Sequence, residues 1–87
     1  MLKKFKLEAL TWRKTKKGRA HVWATYVVMA NDPFDARDKA HVKYPGRHFK
    51  TIRECTQNGD NIVGRTWTAS YLAKHEAEIK IMYDLQS

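Results

Sequence analysis

The sequence contains only one cysteine, Cys55, so no internal disulfide can form within its 87 residues. Small secreted domains usually depend on several disulfides, which argues against that class. No run approaches the roughly 18–20 apolar residues of a membrane span, so no membrane partner is expected. Lys6 and Glu8 interrupt the apolar region that a signal peptide would need after its basic start. These absences predict a cytoplasmic protein in which Cys55 is a small, partly buried strand residue.

The sequence also lacks a convincing set of catalytic or metal-binding residues. No two of its four histidines have the i, i+4 spacing of a helical metal pair, and no cysteine pair accompanies them. His48, which can carry a proton, lies between the cations Arg47 and Lys50, and phosphodiester cleavage requires both kinds of group. A small nuclease is therefore one alternative, ranked third after the two binding functions described below. The leading prediction is nevertheless that the protein has no catalytic residues and uses no metal, no cofactor and no small-molecule substrate.

Acidic residues are scarce in the first third of the chain. The whole sequence has 17 Lys and Arg against nine Asp and Glu, which gives a net charge of +8. Residues 1–31 hold eight of the basic residues and only one acid, Glu8, and so carry +7 of that charge. A one-sided basic region attracts polyanions such as nucleic acid, and it also fits an acidic face of another protein.

Two strands joined by a basic loop are predicted for this first third. Apolar and polar side chains alternate over residues 4–13, the pattern of a half-buried strand. The loop over residues 14–19 reads KTKKGR, and Gly18 is expected to have a positive φ. Residues 20–30 are rich in β-branched and aromatic side chains and are predicted to form a central strand. The residues expected in the core are Phe5, Leu7 and Ala9 of the first strand, and Trp23, Tyr26 and Val27 of the second.

A helix is predicted over residues 34–44. Asn31 or Asp32 can cap its start, and Pro33 suits its first turn. The Pro45–Gly46 pair ends it. This helix is expected to cover one face of the sheet.

Two further strands are predicted after the helix. In the strand over residues 47–56, Phe49 and Ile52 can share a face only across a bulge. An Asn-Gly turn at residues 57–60 then leads into a fourth strand over residues 61–68.

The C-terminal segment, residues 70–85, fits both a helical stripe and a strand alternation. We expect a short helix over residues 70–76, followed by a strand. The chain is therefore predicted to be one α+β domain over residues 1–87, with an antiparallel sheet of four to five strands packed against one main helix.

The middle of the chain carries a strand, helix, strand pattern. It consists of the strand WATYVVMA (residues 23–30), a helix with Ala36 and Ala40, and the stop YPG (residues 44–46) leading into HFKTIREC. Together with the strand before it, this pattern resembles small accessory proteins of tailed bacteriophages. Such proteins bind and divert host machinery, including defence systems, and share no catalytic residues. The resemblance implies the same behaviour for this chain.

The basic hairpin is the main candidate binding site. Each cation placed on a phosphate releases a counterion, so several together bind nucleic acid without reading its sequence. Trp12 and His21, at the base of the loop, can stack on exposed bases. The candidate nucleic-acid-binding residues are Lys4, Lys6, Trp12, Arg13, Lys14, Lys16, Lys17, Arg19 and His21. The sequence thus predicts a non-enzymatic protein whose hairpin binds nucleic acid or a nucleoprotein.

The second alternative is a phage-type inhibitor that docks on a host protein, such as a defence or CRISPR effector. Its basic face would meet an acidic face of that protein. An interface of this kind depends on a few anchors, often Trp, Tyr or Arg. Trp12, Trp67 and Tyr71 are the candidates, because they lie near strand ends and look less necessary to the core than Trp23 or Tyr26.

Overall fold

A four-stranded antiparallel sheet with helices on one face is the architecture of the computed structural model, which describes residues 2–85. The elements in chain order are β1 Lys3–Thr15, β2 Gly18–Ala30, α1 Pro33–Lys43, β3 Phe49–Cys55, β4 Asn61–Thr68, α2 Ala69–Lys74 and α3 Glu76–Asp84. The strand order is β2-β1-β3-β4. The predicted α+β class is confirmed. The sheet has four strands, and two C-terminal helices, α2 and α3, are present in addition to the main helix α1.

β1 and β2 form one long hairpin, paired without interruption over 13 positions. Most of the loop predicted over residues 14–19 is therefore strand, and only Lys16 and Lys17 lie in the turn. Gly18 has the expected positive φ, 124°. The prediction that β2 is a central strand is wrong, because β3 pairs with the other side of β1 and leaves β2 at the edge of the sheet.

The hydrophobic core lies between the helices and one face of the sheet. The predicted core residues of β1, which are Phe5, Leu7 and Ala9, are all fully buried. Phe49 and Ile52 of β3 are buried beside them. The predicted bulge is present, because the register between β1 and β3 shifts so that Lys50 has no partner on β1.

Two residues of β2 that we expected in the core are exposed instead. Trp23 is 61% exposed and Val27 is 45% exposed, whereas their neighbour Val28 is buried. Because side chains alternate along a strand, the odd-numbered residues of β2 face away from the helices. The substitution Val27→Asp would place its carboxylate in water on this exposed face, so it is not expected to unfold the protein.

The start and end of α1 follow the predicted signals. Asp32 is the cap, and its Oδ1 accepts a hydrogen bond from the backbone N–H of Asp35 at 2.7 Å. Pro33 lies in the first turn, and Ala36 and Ala40 are buried against the sheet. The helix ends before the Pro45–Gly46 pair, as predicted.

The strand predicted after residues 70–76 is wrong, since α3 follows α2 directly after His75. Ile79 and Tyr83 are buried one helical turn apart, while Ile81 between them is 58% exposed. The apolar residues at helical spacing therefore face the core, whereas the alternating set includes the exposed Ile81 and does not.

Tyr83 makes a buried hydrogen bond between α3 and β3. Its hydroxyl donates to Glu54 Oε1 at 2.5 Å. Burial, together with the adjacent Glu54 carboxylate, raises the pKa of Tyr83 well above its ordinary value near 10. Tyr83 thus stays protonated in the folded protein at pH values where an unfolded chain loses the proton.

We expect Tyr83→Phe to lower the free energy of unfolding by about 1–3 kcal/mol at pH 7, because Glu54 loses a buried donor. Above a pH of about 10, Tyr83 ionises in the unfolded chain but not in the folded protein. The free energy of unfolding of the wild type therefore falls by up to about 1.4 kcal/mol per pH unit because of this group. The variant lacks that contribution. Urea unfolding at neutral and alkaline pH measures both effects. If the free energy of unfolding fell equally between neutral and alkaline pH in the wild type and in Tyr83→Phe, this account would be contradicted.

Candidate nucleic-acid interface

The distal half of the β1–β2 hairpin projects from the rest of the protein. β3 pairs with β1 only from Lys4 to Ala9. In the six residue pairs beyond Ala9, β1 and β2 therefore have no other strand as a pairing partner. We call residues 10–23 the β-arm. At about 3.4 Å per residue it is roughly 20 Å long. The β-arm accounts for the elongated outline of 50 × 29 × 23 Å, and for a radius of gyration of 14.0 Å against about 12 Å for a globular chain of this length.

The β-arm carries cations without acids. Its five cations are Arg13, Lys14, Lys16, Lys17 and Arg19. All five are exposed, and within residues 2–85 none of them has an ion-pair partner. Lys14 and Arg19 lie directly opposite each other on the two strands. Such a like-charge pair is destabilising, so an anion bound between them would relieve a repulsion.

One face of the β-arm is aromatic and apolar. Strand alternation and register place four such side chains on the face that points away from the helices: Leu10, Trp12, His21 and Trp23. The rings of Trp12 and His21 lie across from each other with centroids 3.7 Å apart. Trp12 and Trp23 are each 61% exposed. The Lys14–Arg19 pair lies next along the same face, toward the tip, so flat rings and cations form one surface.

Lys4 and Lys6 also point away from the helices, but both are bonded to the turn between β3 and β4. The ammonium of Lys6 donates to the carbonyl of Gly59 at 2.7 Å, and that of Lys4 to the carbonyl of Gln57 at 3.0 Å. These two candidates therefore support the fold. The structure gathers the other seven predicted binding residues on the β-arm and adds Trp23, which is exposed there and not in the core as predicted.

The three anchors of the docking alternative do not form one patch. Trp67 is only 7% exposed and belongs to the hydrophobic core, so its interpretation as an exposed anchor is wrong. Tyr71 is 48% exposed on α2, where its ring stacks on His75 at 4.2 Å. Trp67 and Tyr71 border an open concavity of about 340 Å³. Trp12 lies on the opposite face of the sheet, far along the β-arm.

The nuclease alternative gains no support from the side-chain arrangement. Arg47 is engaged through a hydrogen bond from its Nε to the Tyr26 hydroxyl at 3.0 Å. His48 and Lys50 are exposed at the start of β3. Cys55 is buried in β3, as expected for a structural residue. Among residues 2–85, no cluster of three or more His, Cys, Asp and Glu is placed to hold a metal ion.

Comparison of the chain with protein-family models, curated proteins and solved structures finds no match. Within the described part of the chain, the helices are too short and too polar for any of them to cross a membrane. What the protein binds is therefore inferred from the β-arm itself.

Proposed function

We propose that the protein is a non-enzymatic binding module that acts in the cytoplasm and engages nucleic acid or a nucleoprotein through its β-arm. The observation that carries this proposal is the set of five exposed cations on a projecting two-stranded ribbon that contains no acid. A ribbon of this kind is narrow enough to enter the major groove of a duplex or to lie along a single strand.

The distribution of acidic residues supports binding through the β-arm. Five of the nine acids lie on the helices at the other side of the sheet: Asp35 and Asp38 on α1, and Glu76, Glu78 and Asp84 on α3. Glu8, the acid nearest to the β-arm in sequence, is paired with Arg53 and accepts a hydrogen bond from Thr51. The same helices also carry five Lys and Arg residues, so their formal net charge is zero, whereas the β-arm carries +5. A polyanion is therefore attracted to the β-arm more strongly than to the helical layer.

Binding is expected to depend steeply on salt and weakly on sequence. If four of the five cations contact phosphates, log K against log salt has a slope of about −3.6, at about −0.9 per phosphate. Raising the salt from about 50 to about 200 mM then weakens binding about 150-fold. Fluorescence anisotropy with labelled oligonucleotides of mixed sequence measures the slope. Absence of binding at low salt, or an affinity that does not change with salt, would remove the proposal.

The same mixtures test for catalysis. A binding module leaves the oligonucleotide intact, and a denaturing gel run after prolonged incubation is expected to show full-length strands only. Shortened strands that disappear in a His48→Ala variant would instead favour the nuclease alternative.

Docking on a host protein is the second candidate, and exposed Trp12 is the observation that favours it. This behaviour is also what the resemblance to phage accessory proteins implies. A protein interface with an apolar centre survives salt concentrations that screen exposed charges. A complex with a host protein that persists at high salt after nuclease treatment, and that Trp12→Ala weakens by about 2 kcal/mol or more, would replace the nucleic-acid proposal with this one.

A further inference from the structure

We infer that the β-arm binds single-stranded nucleic acid, with Trp12 and Trp23 as its stacking platform. This inference rests on the proposed function and narrows the ligand to strands whose bases are unpaired. Cations alone would hold any polyanion, so the aromatic face must carry the distinction between single strands and duplexes.

The first step is the exposure of the two indole rings. An aromatic side chain of this size buries 150–250 Å² when it is covered, which makes it one of the most costly groups to leave in water. Both rings are 61% exposed, on a ribbon that otherwise carries mainly cations and small side chains. In a duplex the flat faces of the bases are stacked inside the helix, and the grooves display only their edges. Unpaired bases offer the flat faces that an exposed indole can cover.

The second step is the spacing of the rings and the cations. Trp12 lies opposite His21 and Trp23 lies opposite Leu10, so the two tryptophans are diagonal neighbours on adjacent strands. Diagonal neighbours are about 7–8 Å apart, which leaves room for each ring to stack on a separate base. The Lys14–Arg19 pair follows on the same face. A strand with its bases on the rings would therefore pass its phosphates over these cations.

A purely structural role for the tryptophans makes a different prediction. A two-stranded ribbon is marginally stable by itself, and cross-strand pairs such as Trp12 with His21 help to hold it together. That role needs apolar bulk, which leucine also provides. Stacking on bases needs a flat π-system, which phenylalanine retains and leucine lacks. Leucine and phenylalanine variants thus separate the two roles.

The experiment compares three probes of equal total phosphate at one moderate salt concentration: an oligothymidine, an oligouridine and a mixed-sequence DNA duplex. Anisotropy gives the affinities of the wild type, of the double variant Trp12→Leu with Trp23→Leu, and of the corresponding double phenylalanine variant. Tyr71→Leu is the matched control, because Tyr71 is an exposed aromatic residue outside the β-arm. The oligothymidine and oligouridine probes show whether DNA or RNA is the better ligand.

We expect the wild type to bind a single strand at least about 10-fold more tightly than the duplex, and the leucine variant to lose roughly 5- to 150-fold per base no longer stacked. The phenylalanine variant should recover most of that loss, and Tyr71→Leu should behave as the wild type. A single strand should also quench the tryptophan fluorescence of the wild type. In the leucine variant, whose remaining tryptophan is the buried Trp67, quenching should be absent.

Equal affinity for single strands and duplex, unchanged in the leucine variant, would overturn the inference while leaving the β-arm as a nucleic-acid binder. Absence of binding to all three probes at low salt would instead remove the proposed function itself and point to a protein partner. If the leucine variant loses the cross-strand amide protection of residues 10–23, the preference of the wild type for the single strand over the duplex decides whether the inference holds. An affinity that phenylalanine fails to restore with the ribbon intact would also count against stacking.

Discussion

Replacing the five β-arm cations with glutamine is expected to lower affinity for nucleic acid by about 10²–10³-fold at about 0.1 M salt, and to flatten the salt dependence toward zero. The replaced residues are Arg13, Lys14, Lys16, Lys17 and Arg19. Each lost contact removes the release of one counterion, so the loss accumulates over the set. Anisotropy titrations over a range of salt concentrations measure both quantities.

A charge-matched variant distinguishes the β-arm from net charge. Glutamine at five exposed lysines outside the β-arm, which are Lys39, Lys43, Lys50, Lys74 and Lys80, gives the same fall in net charge, from +8 to +3. We expect this variant to bind within a few-fold of the wild type, because its cations lie away from the ligand. Equal losses in the two variants would mean that the protein binds through its overall charge and that the β-arm has no special role.

The β-arm variant should unfold at nearly the same denaturant concentration as the wild type. Surface substitutions away from special features usually change stability by less than about 0.5 kcal/mol. Removing the repulsion between Lys14 and Arg19 even favours a small gain. A large loss of stability would show that these residues serve the fold, and the proposal would lose its support.

Trp67→Ala is expected to lower the free energy of unfolding by about 3–5 kcal/mol, which is most of the stability of a small domain. Trp67 is 7% exposed, and its ring lies 6.0 Å from that of Tyr83 between centroids. Removing the ring leaves a cavity beneath the sheet that β4 and α3 can close only in part. Urea unfolding followed by circular dichroism measures the change.

Trp12→Ala is the natural control, because the same side chain is removed from an exposed position. We expect it to cost the fold less than about 1 kcal/mol, chiefly through the lost pair with His21. If Trp67→Ala unfolded at the wild-type denaturant concentration, Trp67 would be a surface anchor, as the docking alternative first supposed, and the core described above would be wrong.

Local signals in the sequence were sufficient for much of the fold. The alternation of Phe5, Leu7 and Ala9 placed β1 correctly because one face of the strand is buried and the other is not. Asp32 before Pro33 marked the start of α1. The spacing of Phe49 and Ile52 even required the bulge, because two apolar residues three apart cannot otherwise share a strand face.

The misplaced residues depended on which strands became neighbours, which no local pattern encodes. Apolar content alone suggested a buried β2, but its position at the edge leaves one face uncovered and exposes Trp23. A signal was present, since the small residues Ala20 and Ala24 alternate with His21 and Trp23 and indicate two unlike faces. Trp67 was misjudged for the converse reason, because the helical C-terminal segment covers it.

The most direct test of the central claim is to map the contact surface in solution by two-dimensional amide NMR during titration with a short single-stranded oligonucleotide at low salt. We predict that the largest shift changes fall within residues 10–23 and extend onto the adjoining open face of the sheet. The indole N–H signals of Trp12 and Trp23 should move, while that of the buried Trp67 stays in place. Changes concentrated on α1 to α3, or no changes when the oligonucleotide is in excess, would contradict the assignment of the β-arm as a nucleic-acid-binding site.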